Sequence, residues 1–108
     1  MAKIAYSKLD LKVNDDIAII SHVTSKDEMI EFEVKKYLPI EEKMEMISRI
    51  INLSVDDNGF YNPVRLQIYT TIEIVFAYTN LNFTTKQKEN LFKLYDQLIS
   101  SGIFDKIQ

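Results

Sequence analysis

The sequence predicts a small α+β domain, mostly α, in which a short N-terminal antiparallel β element packs on about three helices. Two observations predict this class. Up to residue 38 the apolar residues tend to alternate with polar ones, whereas from Pro39 onward they recur at helical spacing. Each of the two prolines also lies where a helix should begin, and each of the two glycines where one should end. We expect residues 1–108 to form a single domain, with 1–38 as its β-rich part and 39–108 as its helical part.

The β-rich part contains one clear alternation and two weaker ones. Residues 30–35 alternate apolar and charged side chains, as in a half-buried strand. An apolar run at 17–20 follows a turn-prone Asn-Asp-Asp, and residues 9–13 alternate as well. Residues 21–28 are predicted to be a polar connection. The β element therefore has two or three strands.

The first predicted helix begins at Pro39, whose missing N–H has no intrahelical partner at a first helical position. Ile40, Met44, Ile47 and Ile51 fall on one helical stripe, which Met46, Ile50 and Leu53 widen, so we expect this apolar face to be buried. The Asp-Asp-Asn-Gly sequence at 56–59 should end the helix.

The second segment, residues 63–79, fits two structures. A capping Asn62 before Pro63 and the spacing of Ile68 and Ile72 predict a helix. Its apolar residues also alternate, as in one long strand. Helix is preferred because the segment exceeds the usual strand length and contains no turn residue. Since it is apolar on most sides, this helix should be the central one.

The third predicted helix opens with a capping box, in which Thr84 and Gln87 satisfy each other's free backbone N–H groups. Its buried stripe is expected to contain Leu91, Leu94, Tyr95 and Leu98. Gly102 is placed to adopt the left-handed turn after the helix, so that Ile103 folds back onto Leu98.

Composition excludes several classes of protein. The chain has no Cys, so it has neither a disulfide framework nor a thiol nucleophile. Its net charge of -3 argues against a dedicated nucleic-acid binder. The two glycines lie more than forty residues apart, which removes phosphate-binding glycine-rich loops. We find no secretory signal and no apolar stretch long enough to cross a membrane, so we expect neither secretion through a signal peptide nor a membrane partner.

Candidate chemical groups are few, and we predict no catalytic residue, no metal site and no cofactor. His22 is the only histidine, and we interpret it as a solvated loop residue. Residues 56–59 partly match a calcium loop, but position twelve would be Arg65, where a bidentate Glu is required. An interhelical turn explains this sequence better.

Tyrosine is the more informative residue type, because the chain contains six Tyr and six Phe in a small domain. Tyrosine is enriched at interfaces, where it combines an apolar ring with a polar tip. We take Phe60, Tyr61, Arg65 and Tyr69 as a candidate protein interface, although the three aromatic residues would fit a core equally well.

Several short stretches together resemble a family of small, uncharacterised proteins of tailed phages that infect low-GC Gram-positive bacteria. They are 33–39 (EVKKYLP), 47–52 (ISRIIN), 62–64 (NPV), 76–84 (FAYTNLNFT), 86–89 (KQKE), 94–96 (LYD) and 100–102 (SSG), within a region of about 30–107. The resemblance transfers no catalytic residue. Many members of the family are longer and carry a further helical C-terminal part.

The resemblance implies a non-enzymatic phage structural or assembly protein that contacts capsid, connector or tail components. The alternative is an early phage effector that binds and inhibits a host defence protein. Both hypotheses imply phage or host proteins as partners and a location in the host cytoplasm, the virion, or both. Self-association is compatible with either, and the sequence does not fix the oligomeric state.

Overall fold

The computed structural model describes residues 2–108 and has the predicted α+β class. A short 3-10 helix, Tyr6–Leu9, precedes the only sheet of this part of the chain, which pairs β1 (Ile17–Val23) with β2 (Met29–Lys35) in antiparallel order. Five helices follow: α1 (Ile40–Ser54), α2 (Pro63–Tyr78), α3 (Thr85–Glu89), α4 (Leu91–Ser100) and α5 (Ile103–Ile107).

The hairpin has one face toward the core and one toward solvent. Ile20 lies opposite Phe32 and Ala18 opposite Val34, and these side chains point inward. Within residues 2–108 no third strand forms: residues 9–13 are exposed and pair with no other strand, so the three-strand alternative is wrong. A strand of alternating residues needs an edge to pair with, and within residues 2–108 the N-terminal segment pairs with neither edge of the hairpin.

The main core lies between the inner face of the hairpin and the helices that follow α1. It joins buried residues from β2, α2, α4 and α5. They are Phe32, Val34, Ile72, Val75, Leu94, Leu98, Phe104 and Ile107. A smaller cluster of Leu38, Met46 and Ile50 packs α1 against α2.

The apolar face predicted on α1 is buried along one side only. Met46 and Ile50, which widen the predicted stripe, face inward together with Ser54, whereas the centre of the stripe at 40, 44, 47 and 51 is exposed, as is Leu53. The helix carries apolar residues on both faces, so periodicity alone does not choose between them. Beside the buried face, the half-exposed Arg49 forms an ion pair with Glu73 of α2 at 3.0 Å.

Segment 63–79 is resolved as a helix and is the most deeply buried one, as predicted. Asn62 caps it, because its side-chain oxygen accepts hydrogen bonds from the N–H groups of Val64 and Arg65. Val75 and Ile72 are almost completely inaccessible to solvent. The helix contacts α1, α4 and α5, which explains why its apolar residues are not confined to one stripe.

The third predicted helix is divided in two. The capping box of Thr84 and Gln87 is present, but α3 ends at Glu89. Asn90 leaves the helical conformation and its side-chain oxygen accepts from the N–H of Lys93, so it caps α4. Gly102 adopts the expected left-handed conformation with φ of 79°. The chain then forms α5, which was not predicted and which adds Phe104 and Ile107 to the core.

The molecule is more extended than a domain of this length usually is. Its radius of gyration is 17.9 Å, whereas a compact domain of this length has about 13 Å. Its accessible surface is 8580 Å², against about 6200 Å² for a monomeric protein of the same mass. The excess of about 2400 Å² is total surface, and it reflects the extended shape of the single chain, in which residues 2–16 are all exposed.

Candidate protein-protein interface

The loop between α1 and α2 holds two aromatic residues of the predicted interface outside the core. The side-chain oxygen of Asp56 accepts hydrogen bonds from the N–H groups of Asn58 and Phe60, at 2.9 and 3.0 Å. Val55 and Tyr61 then pair across the base of the loop. The loop is therefore internally braced, and it presents the side chains of Phe60 and Tyr61 with 71% and 63% of their surface exposed.

The other two predicted interface residues lie on α2 and are half-buried. The guanidinium group of Arg65 donates a hydrogen bond of 3.5 Å to the carbonyl oxygen of Val55, which ties the helix to the base of the loop. Tyr69 follows one helical turn later. The structure therefore connects Arg65 with the aromatic loop, while Tyr69 lies on the helix and is less exposed than Phe60 and Tyr61.

The same loop accounts for the residues that resemble a calcium loop. The Asp56 carboxylate is occupied by the two backbone N–H groups. Ser54, which would be the first ligand, is completely buried and donates its hydroxyl to the carbonyl oxygen of Ile50. Among residues 2–108 there is no group of three or more His, Asp or Glu side chains arranged to hold a metal ion.

His22 lies in a strand and not in the polar connection that the sequence predicts. β1 extends to Val23, and His22 pairs with Ile30 on the inner side of the hairpin, where it is half-buried. The polar connection is shorter than predicted, because it begins only at Thr24, whose hydroxyl accepts from the N–H of Glu28.

A second apolar surface is formed by the exposed stripe of α1. Ile40, Met44, Ile47 and Ile51 each have at least two fifths of their surface in contact with solvent. Along this helix they recur at intervals of three or four residues and so lie on one face. An exposed apolar stripe of this kind is typical of a surface that a partner covers.

The N-terminal arm, residues 2–16, is the third apolar surface and the largest departure from a compact shape. Every residue of the arm is exposed. Leu9, Leu11 and Val13 are 57–67% exposed. Beyond Asp16, which accepts a hydrogen bond from the N–H of Lys36, the arm has no backbone hydrogen bond to the rest of the molecule.

The two edges of the sheet differ in how many of their outward-pointing backbone groups form hydrogen bonds. The β2 edge is closed at Glu33, whose N–H donates to the side-chain oxygen of Asn80 at 2.8 Å and whose carbonyl accepts from the Asn80 N–H at 3.2 Å. The β1 edge is open apart from one contact, in which the amino group of Lys106 donates to the carbonyl oxygen of Ser21 at 3.4 Å. Strand β1 contains no Asp, Glu, Lys or Arg.

An open groove of about 580 Å³ separates the inner side of the hairpin from α1 and α2. Its apolar floor includes side chains of all these elements. They are Ala18, Ile20, Val34, Met46, Ile47, Ile74 and Tyr78. Lys35, Lys36, Lys43 and Lys106 stand around it, so the groove combines an apolar floor with a basic rim.

Sequence reasoning identified the aromatic loop, and it missed the ion pair, the open edge and the exposed side of α1. The alternation at 9–13 was a usable signal for the arm, since it predicts a strand that needs an edge to pair with. Nothing in the sequence marks Glu73 as the partner of Arg49, because their contact depends on how α1 and α2 cross.

Comparison with known proteins returned no relative. No family model matches the chain, and neither a curated protein nor a solved structure shows significant similarity to it. The resemblance to phage proteins therefore stays a prediction from sequence. No helix among residues 2–108 is both long and apolar enough to span a membrane.

Proposed function

We propose that the protein is a non-enzymatic assembly component that acts through protein–protein contacts, in a bacteriophage particle or in the assembly of one. The observation that carries the proposal is the amount of apolar surface left outside the core. Large apolar side chains such as Leu11, Met44 and Phe60 are 61–71% exposed, and the total accessible surface exceeds that of a usual monomer of this mass by about 2400 Å². A typical specific interface covers about 800 Å² per partner, so the excess is enough for more than one contact.

The position of this surface supports an assembly role. Exposed apolar residues occur on several separate features, among them the arm, the exposed stripe of α1, the loop that holds Phe60 and Tyr61, and the outer face of the hairpin. Separate surfaces allow one subunit to contact several neighbours, as a component of a larger particle must. The phage setting is supported by the sequence resemblance over residues 30–107.

Mass spectrometry of purified particles and assembly intermediates, from the strain that carries the gene, tests the proposal. We expect the protein in particles or in intermediates, at a constant ratio to the other components. Its absence from both would contradict the proposal. Capture with one host enzyme during early expression would favour the inhibitor alternative instead.

A further inference from the structure

Two features of the molecule lack a hydrogen-bonded strand partner, and the two could pair with each other. One is the open edge of β1, and the other is the arm segment 9–13, whose alternating apolar residues pair with no strand. Open edges bind additional strands through their free backbone groups, and natural proteins usually block them with charged side chains, proline or a cover.

The hydrogen-bond pattern shows which backbone groups of β1 are free. The N–H of Lys36 donates to the carbonyl of Asp16, and the two residues are opposite each other when the register of the hairpin is extended by one. Because bonded and non-bonded pairs alternate in antiparallel sheets, the odd-numbered residues of β1 direct their N–H and C=O groups away from β2. Of these, Ile19 has no hydrogen-bond partner within residues 2–108, and Ser21 has only Lys106.

We propose that the arm of one copy pairs with the open β1 edge of a second copy and adds a third strand to its sheet. This inference rests on the proposed function and names the partner of one of its surfaces, a second copy of this chain. It gives the alternating segment the pairing that its sequence predicts, and it covers the edge that the single chain leaves open.

The free groups select the odd residues of β1, and we take the register that aligns apolar residues of both strands. In an antiparallel pairing this register sets Leu11 opposite Ile19 and Val13 opposite Ile17. These side chains then share the outer face of the sheet, where Ile17 and Ile19 are exposed in the single chain. Apolar cross-strand pairs of this kind stabilise sheets. The charged residues Asp10 and Lys12 then lie on the inner face of the sheet.

Exchange between copies is favoured over closure within one chain by the path of the arm. The side-chain oxygen of Asn14 accepts from the N–H of Asp16 at 2.7 Å, which fixes the bend just before β1. The arm then runs beside Tyr37, with which Leu11 and Val13 line a shallow surface groove. It forms no bridge with its own β1.

Cross-linking tests the proposal cleanly, because the chain contains no Cys. Leu11→Cys protein, labelled with ¹⁵N, is mixed with unlabelled Ile19→Cys protein under mild oxidation. Opposed residues of an antiparallel pair lie within disulfide range. We expect a mixed disulfide dimer, identified by its mass, in at least tenfold excess over the matched control in which Glu31→Cys replaces Ile19→Cys. A yield equal to that of the control would overturn the proposal.

Two further measurements separate the alternatives. In the double variant Leu11→Cys with Ile19→Cys, a disulfide within one chain at high dilution would show that the arm closes on its own edge, which overturns exchange. In the otherwise native chain, Ile19→Lys should weaken self-association at least tenfold without changing the far-UV spectrum, while Glu31→Lys should not.

The same variants distinguish this inference from the proposed function. Self-association that persists unchanged in Ile19→Lys, together with the absence of the mixed disulfide, would overturn arm exchange and leave an assembly role through the other surfaces. Absence of the protein from particles and intermediates contradicts the assembly role itself, whatever the cross-linking result.

Discussion

Two neighbouring isoleucines on α1 test the assignment of its buried face. Ile50 is 6% exposed and packs with Leu38 and Met46, whereas Ile51 is 41% exposed. Replacing each with alanine removes the same atoms from the same helix. The two variants therefore differ only in how deeply the removed atoms are buried.

The expected magnitudes follow from these surroundings. Truncation of a buried Ile costs about 2–5 kcal/mol, and the small cluster around Ile50 puts its cost near the lower end, about 2–3 kcal/mol. Ile51 loses only part of its transfer free energy and leaves no cavity, and alanine regains a few tenths of a kcal/mol in helix propensity. We expect Ile51→Ala to cost about 1 kcal/mol or less.

Urea unfolding followed by circular dichroism measures the difference, at a protein concentration low enough to keep each variant monomeric. In thermal unfolding, the same cost of 2–3 kcal/mol would correspond to a fall in Tm of roughly 10–20 °C for a domain of this size. Equal costs, or a larger cost for Ile51→Ala, would refute the orientation of α1 and would restore the stripe predicted from the sequence.

Three more substitutions probe other parts of the fold. Arg49→Ala leaves the buried Glu73 carboxylate without its ion pair, so it should lower the free energy of unfolding by about 1–3 kcal/mol. The loss is limited because the arginine side is half-exposed and water can reach it, and no loss at all would show that the pair is not formed. Leu94→Ala should cost about 2–5 kcal/mol by urea unfolding, against under about 1 for the exposed Phe92→Ala, and the reverse order would place α4 on its other face. Gly102→Ala should cost about 1 kcal/mol in thermal unfolding, through backbone conformation alone since a Cβ there meets nothing within 4 Å, and an unchanged Tm would argue against the left-handed turn.

Local signals in the sequence predicted the elements well. The capping groups of Asn62 and of the Thr84–Gln87 box lie where helices begin, because they satisfy backbone N–H groups that no other local group can. Gly102 was predicted for the same kind of reason, since a left-handed residue after a helix favours glycine. These features depend on a few neighbouring residues and so can be inferred from sequence.

Features that depend on packing were not predictable in this way. α1 carries apolar residues on two faces, and only its crossing with α2 selects the one that contains Met46 and Ile50. The break at Asn90 was missed because the apolar spacing continues through it, although asparagine is a frequent capping residue. Residues 9–13 pair with no strand in the single chain although β1 has an open edge, and alternation in the sequence does not reveal whether such an edge is used.

The absolute molar mass of the purified 108-residue chain, measured by light scattering over a range of concentrations, tests the central claim most directly. Association through the exposed apolar surfaces predicts a mass that rises with concentration to a defined multiple of 12.6 kDa. A mass that stays at 12.6 kDa up to the highest soluble concentration would contradict self-association.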